Sequence, residues 1–452
     1  TRTGDIVYKR SYTNGSTWEK PVQVFSQFVY SNLQGEHTLV NMANPEIIQL
    51  QNGDLLVACN YRPVKSEIAP YSIVVRRSKD NGKTWLPCQV LYNAAPRFTD
   101  GCWEPSFLQL PDGELQVYFA NENPYQQSAE QEISMISSPD NGQTWALETK
   151  KVSFRKDRRD GMPVPLLLDD EIVVAIEDNY REAFKPYTVR TSVSGNWDTF
   201  VNGDAEKRNY ALLSPVADSV YMGAPYLIRL PNGQTAISYQ TTENRLADWQ
   251  LSTMEVCIGD KDAYNFTHPT RPFPVSNDKE AKWNALAVWS GDTLVALTSS
   301  NLDGLNIAPW MIKGYLMPSS LWVSKDAVPD YSFFIGSKGD TNVRIAMKDD
   351  KGMIRITCDV SDATPSTKDG LGFYFAYKNA TYRVDMSRQG EVYAWLRKKK
   401  KWLSIAPKEL RREVEETAVG YKLHLSIPQN AFAGFLQKEF YFNVVLSAYQ
   451  DE

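Results

Sequence analysis

Histidine is almost missing: three residues, at 37, 268 and 424, in a chain of 452. Acid–base chemistry here therefore falls to carboxylates. Cysteine is scarce and unpaired. The five (59, 88, 102, 257 and 358) are odd in number and lack C-x-x-C spacing, which argues against a disulfide framework or a zinc ribbon. No apolar run approaches the roughly 20 residues that span a bilayer. Nor is there a surplus of positive charge. Lysine and arginine total 49 against 54 acidic residues, net −5, so nothing points to nucleic acid or an anionic membrane as partner. Glycine and proline, 25 each, are near average usage and exclude collagen-like and low-complexity chains. The sequence opens at Thr1 on strand-like residues without a signal peptide, which reads as a mature or trimmed chain.

What is abundant is aromatic: 12% of residues, with 12 tryptophans and 24 tyrosines, the profile of a β-rich, sugar-handling protein. Internal repetition organises the chain. SYTNGSTW at 11–18, SKDNGKTW at 78–85 and SPDNGQTW at 138–145 start 67 and 60 residues apart, with a degenerate SGNWDTF at 194–200. A second phrase alternates with the first. It reads NPEIIQLQNGDLLVACNYR at 44–62, EPSFLQLPDGELQVYFANE at 104–122 and MPVPLLLDDEIVVAIED at 162–178. It returns as APYLIRLPNGQTAISYQTTE at 224–243 and NALAVWSGDTLVALTSSN at 284–301. Each copy is two strand-like runs around a tight turn, a hairpin signal. Hairpins recurring about every 60 residues predict four-stranded blades packed radially as a β-propeller. Five blades are directly legible. A sixth is inferred from 4–25 and 305–323 at the two ends of the repeat region.

The phrases stop near Ser324. Alternating runs over 325–452, such as VRIAMKDDKGMIRITCDV and YKLHLSIP, predict a separate antiparallel β-sandwich, with 318–332 as linker. The expected fold is thus all-β: a six-bladed propeller over 1–323 and a sandwich over 324–452. The RKKKK run at 397–401 reads as a solvated hairpin turn.

In each hairpin the start of the inner strand and the end of its partner lie together, opposite the turn. Residues at those two points should rim one pocket at the channel mouth. They are Glu46, Asn60 and Arg62; Trp103, Glu104, Glu122 and Asn123; Asp160 and Glu177; then Tyr221, Gln240, Glu243, Trp283, Asn284 and Asn301. Carboxylates, amides, arginines and aromatics in one ring suit glycoside hydrolysis, in which one carboxyl protonates the leaving oxygen while the other attacks or activates water. Glu104 (CWEPS) and Glu177 (VVAIED) come from neighbouring blades in apolar, aromatic contexts that raise a carboxyl pKa. A rim glutamate can equally bond backbone or an arginine, and Asp160 can brace Arg159 or a loop.

The octapeptide S-x-D-x-G-x-T-W resembles the Asp box, or BNR repeat, of sialidase-fold propellers. The copies at 78–85 and 138–145 match fully, and the first carries Thr13 in place of Asp. Such boxes report fold rather than chemistry. Sialidases open a blade with an arginine in F/Y-R-I-P; here the equivalent residues are Ala43, Asn44, Pro45 and Glu46. The hairpin phrases are more similar to those of the glycoside hydrolase family 93 exo-arabinanases, over roughly 40–315. The W-E-P phrase at 103–105, R-D-G-M-P at 159–163 and I-E at 176–177 carry the likeness, with GAP at 223–225 and SYQT at 238–241. Asp178 departs from the small residue usual after Ile-Glu. The resemblance implies a retaining hydrolase with Glu104 as nucleophile and Glu177 as general acid/base, working without metal or organic cofactor. The predicted rim, with Arg159 beside Asp160, supplies the candidate substrate-binding residues: Arg62, Glu46, Glu122, Arg159, Asp160, Tyr221, Gln240, Trp103, Trp283 and Asn301.

The tail resembles family 9 carbohydrate-binding modules through GYKLHLSIP at 420–428 and GLGFYFAY at 370–377. That makes Tyr393, Trp395 and Trp402 candidate sugar contacts or, equally, core and lid residues. Calcium often accompanies such modules, although no residue cluster marks a site. The expectation is a secreted or periplasmic, exo-acting glycoside hydrolase whose partner is an oligo- or polysaccharide, α-L-arabinofuranosyl chains in particular. A sialidase or other sialidase-fold hydrolase is the alternative enzyme, and a non-catalytic glycan-binding propeller the alternative of another class.

Overall fold

The computed structural model describes residues 4–13, 15, 17–273, 275–290, 293–302, 304, 306–314, 321–323, 342–350, 352–362, 366–377, 380–399, 401–406, 409–417, 420–434 and 440–447. Among them the chain is all-β, as the hairpin phrases require. Each repeat becomes a meander. The first runs through Phe28–Ser31, His37–Gln49, Leu55–Pro63, Ser72–Ser78 and Gln89–Asn93; the second through Cys102–Gln109, Leu115–Asn121, Glu132–Ser138 and Lys150–Ser153. The third comprises Asp160–Leu168, Glu171–Asp178, Lys185–Ser192 and Arg208–Tyr210. The fourth begins with Met222–Arg229, Thr235–Thr241 and Thr253–Gly259, and Ala281–Ser290, Thr293–Ser300 and Ala308–Gly314 form a fifth sheet, of three strands. Ile6–Tyr8 and Val22–Phe25 make a two-stranded pair. Strand order follows chain order in all five repeat sheets, so every connection is local.

The chain divides into two compact units. One holds residues 1–267, 275–285 and 298–309; the other holds 268–274, 286–297 and 310–452. In the first unit the second strands Leu115–Asn121 and Thr235–Thr241 are buried end to end, and Leu55–Pro63 and Glu171–Asp178 are buried over most of their length. The inner strands of successive sheets pack against one another from the first sheet to the fourth. The Tyr226 hydroxyl, on the fourth, donates to Glu46 Oε1, on the first, at 3.1 Å. The inner strands therefore converge on a common centre.

Each inner strand is interrupted at the same place. The register slips between Ala43 and Glu46, Trp103 and Ser106, Gly161 and Val164, and Gly223 and Tyr226. At the slip Asn44, Glu104, Met162 and Ala224 take φ of 51°, 51°, 49° and 52°, and Trp283 takes 54° in the fifth sheet. In four of the five a proline follows, at 45, 105, 163 and 225. Proline has no N–H to give the ladder, so it fits where the ladder is broken. A left-handed bulge costs a non-glycine residue about 1–3 kcal/mol. It re-aims that residue's side chain and frees its own N–H.

Each full box closes a tight turn on its own side chains. In the two full copies Ser78 and Ser138 accept the N–H of Gly82 and Gly142 at 2.8 and 2.7 Å, while Asp80 and Asp140 accept the N–H of Thr84 and Thr144 at 2.9 and 2.8 Å. Thr13 takes the aspartate's part with its hydroxyl, accepting Thr17 N–H at 2.8 Å. Trp145 packs against the main core and Trp85 against Tyr8, at 5.9 Å between ring centroids, whereas Trp18 is exposed.

In the second unit one sheet runs in the order Leu321–Val323, Phe440–Ser447, Gly370–Tyr377, Ala380–Ser387, Val392–Lys398, Lys401–Ile405. A second runs Asn342–Asp350, Met353–Ser361, Gly420–Pro428, Arg411–Thr417. The two share one buried core built from Ile345, Ile356, Phe373, Phe375, Leu423 and Phe442, among others. Strand Leu321–Val323, within the stretch read as closing the ring, pairs with Phe440–Phe442 instead. Most of the expected linker, 318–320 and 324–332, and Lys400 of the basic run lie outside the described residues.

Candidate active site

Two positions recur in the first four repeat sheets, and the site is built from them. One is the bulge residue of the inner strand. The other, on the second strand, lies opposite the residue just before the bulge: Asn60 faces Ala43, Ala120 faces Trp103, Glu177 faces Gly161 and Gln240 faces Gly223. Twice the second position reaches the N–H freed by the bulge of the next sheet. Ala224 N–H donates to Glu177 Oε2 at 2.8 Å, and Trp283 N–H donates to Gln240 Oε1 at 2.8 Å. The carboxyl of Glu177 is thus anchored on backbone.

Glu104 is itself a bulge residue, so its side chain leaves the sheet in a direction no regular strand position would give. Burial pushes its carboxyl up to about 8; the negative charges of Glu177 and Glu122 add to this, and Arg159 and Arg62 oppose it. Burial also pushes Glu177 up, to about 7, against the pull of the Ala224 N–H and Arg159. The two carboxyls act on each other through space and share the influence of Arg159.

Tyr221 completes the pair. Burial, with the charges of Glu177 and Glu104, raises its phenol well above the usual range, and its oxygen accepts from Gln240 Nε2 at 2.8 Å. Gly223 makes room for both. A Cβ there would lie 2.5 Å from Glu177 Oε2 and nearer still to the Tyr221 hydroxyl.

The remaining rim residues brace this centre. Trp103 Nε1–H donates to Glu122 Oε2 at 2.8 Å, and Arg159 joins the other oxygen of Glu122 to Gln131 Oε1. Arg62 lies over the rings of Phe98 and Trp103, 5.5 Å from each. A cavity of about 570 Å³ opens beside this group, lined by Arg97, Phe98, Glu122, Gln126 and Arg159 among others.

Three predicted contacts are engaged elsewhere. Asp160 is buried behind the rim, accepting from Ser153 at 2.7 Å and paired with Arg208 at 2.6 Å. Strand alternation puts it on the face opposite Gly161 and Glu177. Glu46 is held by Tyr226 and pushed up to about 7 by burial. Asn301 braces a loop, its Oδ1 accepting the Glu280 N–H at 3.0 Å.

The BNR repeat-like domain matches residues 2–200. No curated protein matches the chain. Among solved structures it is similar to the α-L-arabinanase of Penicillium chrysogenum complexed with arabinobiose, at 17% identity over 70% of this chain and 88% of that one, with a TM-score of 0.42. The GH93 α-L-arabinofuranosidase of Fusarium graminearum, also with arabinobiose, aligns at 15% identity over 70% and 88%, with a TM-score of 0.41. A Hadza microbial sialidase aligns at 13% identity over 68% and 59%, with a TM-score of 0.46.

Sequence reasoning missed Tyr226, Gln131, Gly223, Trp249 and Lys282. Gly223 sits in the same repeat column as Trp103, just before the bulge, so the bulge pattern could have found it. Trp249 could not be reached that way, because it lies in a loop between strands.

Proposed function

We propose that the chain is a retaining glycoside hydrolase acting on neutral sugar chains, with α-L-arabinofuranosyl chains as the favoured substrate. Its repeat sheets form a six-bladed propeller and its tail a β-sandwich. The observation that carries this reading is the pairing of Glu104 with Glu177: two electrostatically linked carboxyls, both raised toward neutrality, with a tyrosine hydroxyl beside one of them. Family-93-like phrases hold both residues. The sialidase reading has less support, since the blade opening where an arginine clamp would begin reads Ala43, Asn44, Pro45 and Glu46, with Asn44 in the arginine's place.

The environments favour different protonation for the two carboxyls, which is how one site supplies both an acid and a nucleophile. Glu177 receives a backbone N–H, which favours its anion; Glu104 faces the charges of Glu177 and Glu122, which favour its acid form. This argues for Glu177 as nucleophile and Glu104 as general acid/base, the reverse of the assignment the family resemblance implies. In the first step Glu177 attacks the anomeric carbon as Glu104 gives its proton to the leaving oxygen. In the second, Glu104 takes a proton from water, which displaces Glu177.

The test uses 4-nitrophenyl α-L-arabinofuranoside and linear arabinan. The wild type cleaves both with retention, read by NMR of the first-formed anomer. Glu104→Gln and Glu177→Gln each lose at least about 10³-fold on arabinan, in keeping with loss of a proton donor or a nucleophile. An activated aryl leaving group restores much of the loss in Glu104→Gln and none in Glu177→Gln. The opposite pattern exchanges the two roles, and wild-type activity in both variants rejects the pair.

A further inference from the structure

The carboxyl pair is flanked on the Tyr221 side by aromatic surface that the mechanism above does not use. Tyr221 is followed by Trp249, 6.1 Å between ring centroids, and Trp249 by Trp283, 6.4 Å away and turned by 71°. Both tryptophans lie open to solvent, 44% and 46% exposed. Two adjacent exposed indoles are costly unless they meet something.

They are also held in place. Trp283 is the bulge residue of its sheet, with φ of 54° and its N–H fixed by Gln240. Trp249 opens a short 3₁₀ turn, Trp249–Leu251, capped by Asp248, whose side chain accepts Gln250 N–H at 2.9 Å. Lys282 is buried, its ammonium 5.0 Å from the Trp249 ring and 6.0 Å from that of Trp283. Its charge is matched by Glu280 at 2.8 Å. The result is a rigid, apolar corner with a compensated charge behind it.

We infer that Trp249 and Trp283 form a shelf that binds a neutral sugar ring of the substrate chain, next to the ring held at Glu104 and Glu177. This rests on the hydrolase reading above and extends it to chain-length recognition. The apolar C–H face of a sugar suits an indole face, and a fixed aromatic gives contact area at low entropic cost. The charge of Lys282, the cation behind the two rings, is taken up by Glu280 and does not favour a uronate or other acidic sugar.

The test is the ratio of kcat/KM on arabinohexaose to that on 4-nitrophenyl α-L-arabinofuranoside, which presents one sugar only. Trp249→Ala and Trp283→Ala lower this ratio about tenfold, the size of effect that truncating an aromatic anchor produces. Trp249→Phe keeps most of it. An unchanged ratio in both alanine variants overturns the shelf. Binding is read separately, from quenching of tryptophan fluorescence in the intact protein. Arabinohexaose quenches the wild type saturably and Trp249→Ala much less. If the wild type cleaves neither substrate, the hydrolase reading fails and the shelf still stands on the quenching. If it cleaves the aryl glycoside but arabinohexaose does not quench, the shelf fails alone. Stronger quenching by trigalacturonate overturns the preference for a neutral ring.

Discussion

Glu104 and Glu177 owe their chemistry to neighbours that differ at single positions. On the proposed mechanism Glu177 must be ionised to attack, so activity should fall as the pH drops through about 7; Glu104 must hold its proton, so activity should fall again above about 8. The expected kcat/KM profile is a bell with its limbs near those values, each belonging to the coupled pair rather than to one residue. Glu122 supplies part of the charge that keeps Glu104 protonated. Glu122→Gln therefore moves the basic limb to lower pH, and a basic limb that stays in place would show that Glu122 does not act on Glu104. Gly223 offers a purely steric test. An added methyl pushes on both the Tyr221 hydroxyl and Glu177 Oε2, and displacements of about 1 Å cost roughly 10²-fold in rate. Gly223→Ala should lose about that much kcat/KM while keeping the wild-type melting temperature. That Glu104 and Glu177 come close enough to act on each other was readable from the matching places of CWEPS and VVAIED in neighbouring repeats. The partition of roles was not, because it depends on an N–H from Ala224, 47 residues further along the chain.

At the scale of a strand, Asp160–Leu168 and Glu171–Asp178 send their residues to opposite faces with opposite fates. Glu177 faces the site, while Asp178 and Asp160 turn into the protein beside Arg155 and Arg208. The Arg208, Asp160 and Asp178 side chains are at most 1% exposed. Removing the arginine leaves Asp160 without its cation and Asp178 with Arg155 alone, and breaking a buried pair from one side costs about 3–5 kcal/mol. Arg208→Met should lower stability by about that amount in a denaturant titration. A cost below about 1 kcal/mol would mean that the cluster rearranges or hydrates. The period-2 rule was sufficient to separate Asp160 from Glu177, yet the sequence reading put both on the rim. The bulge explains why: it sits two residues past Asp160 and hides the true phase of the strand start. Strand existence and turn positions were legible because NG, DG and DD turns mark them. The bulges announced themselves only as a proline column, at 45, 105, 163 and 225, whose meaning depends on pairing.

At the scale of the molecule, the repeats were legible because each sheet reuses the same two phrases, and the resulting strands meet at a centre the sequence does not mark. Glu46 shows what that centre asks of a residue. Read as a rim contact, it instead links the inner strands of the first and fourth sheets by accepting from Tyr226. Burial raises its carboxyl from the ordinary 4.5 to about 7. Below pH 4.5 folded and unfolded chains both hold this proton. Between 4.5 and about 7 the folded chain holds it while the unfolded chain has released it, so stability falls as the pH rises through this window and levels off above it. Glutamine keeps an acceptor for Tyr226 and removes the titration. Glu46→Gln should therefore melt at the wild-type temperature near pH 4.5, then progressively above it, with a gain of up to about 3 kcal/mol by pH 8. Glu104 and Glu177 titrate equally in both proteins and cancel from the difference. A gain that is constant across pH would mean that the glutamine packs better, and that Glu46 is not held neutral at the centre of the ring.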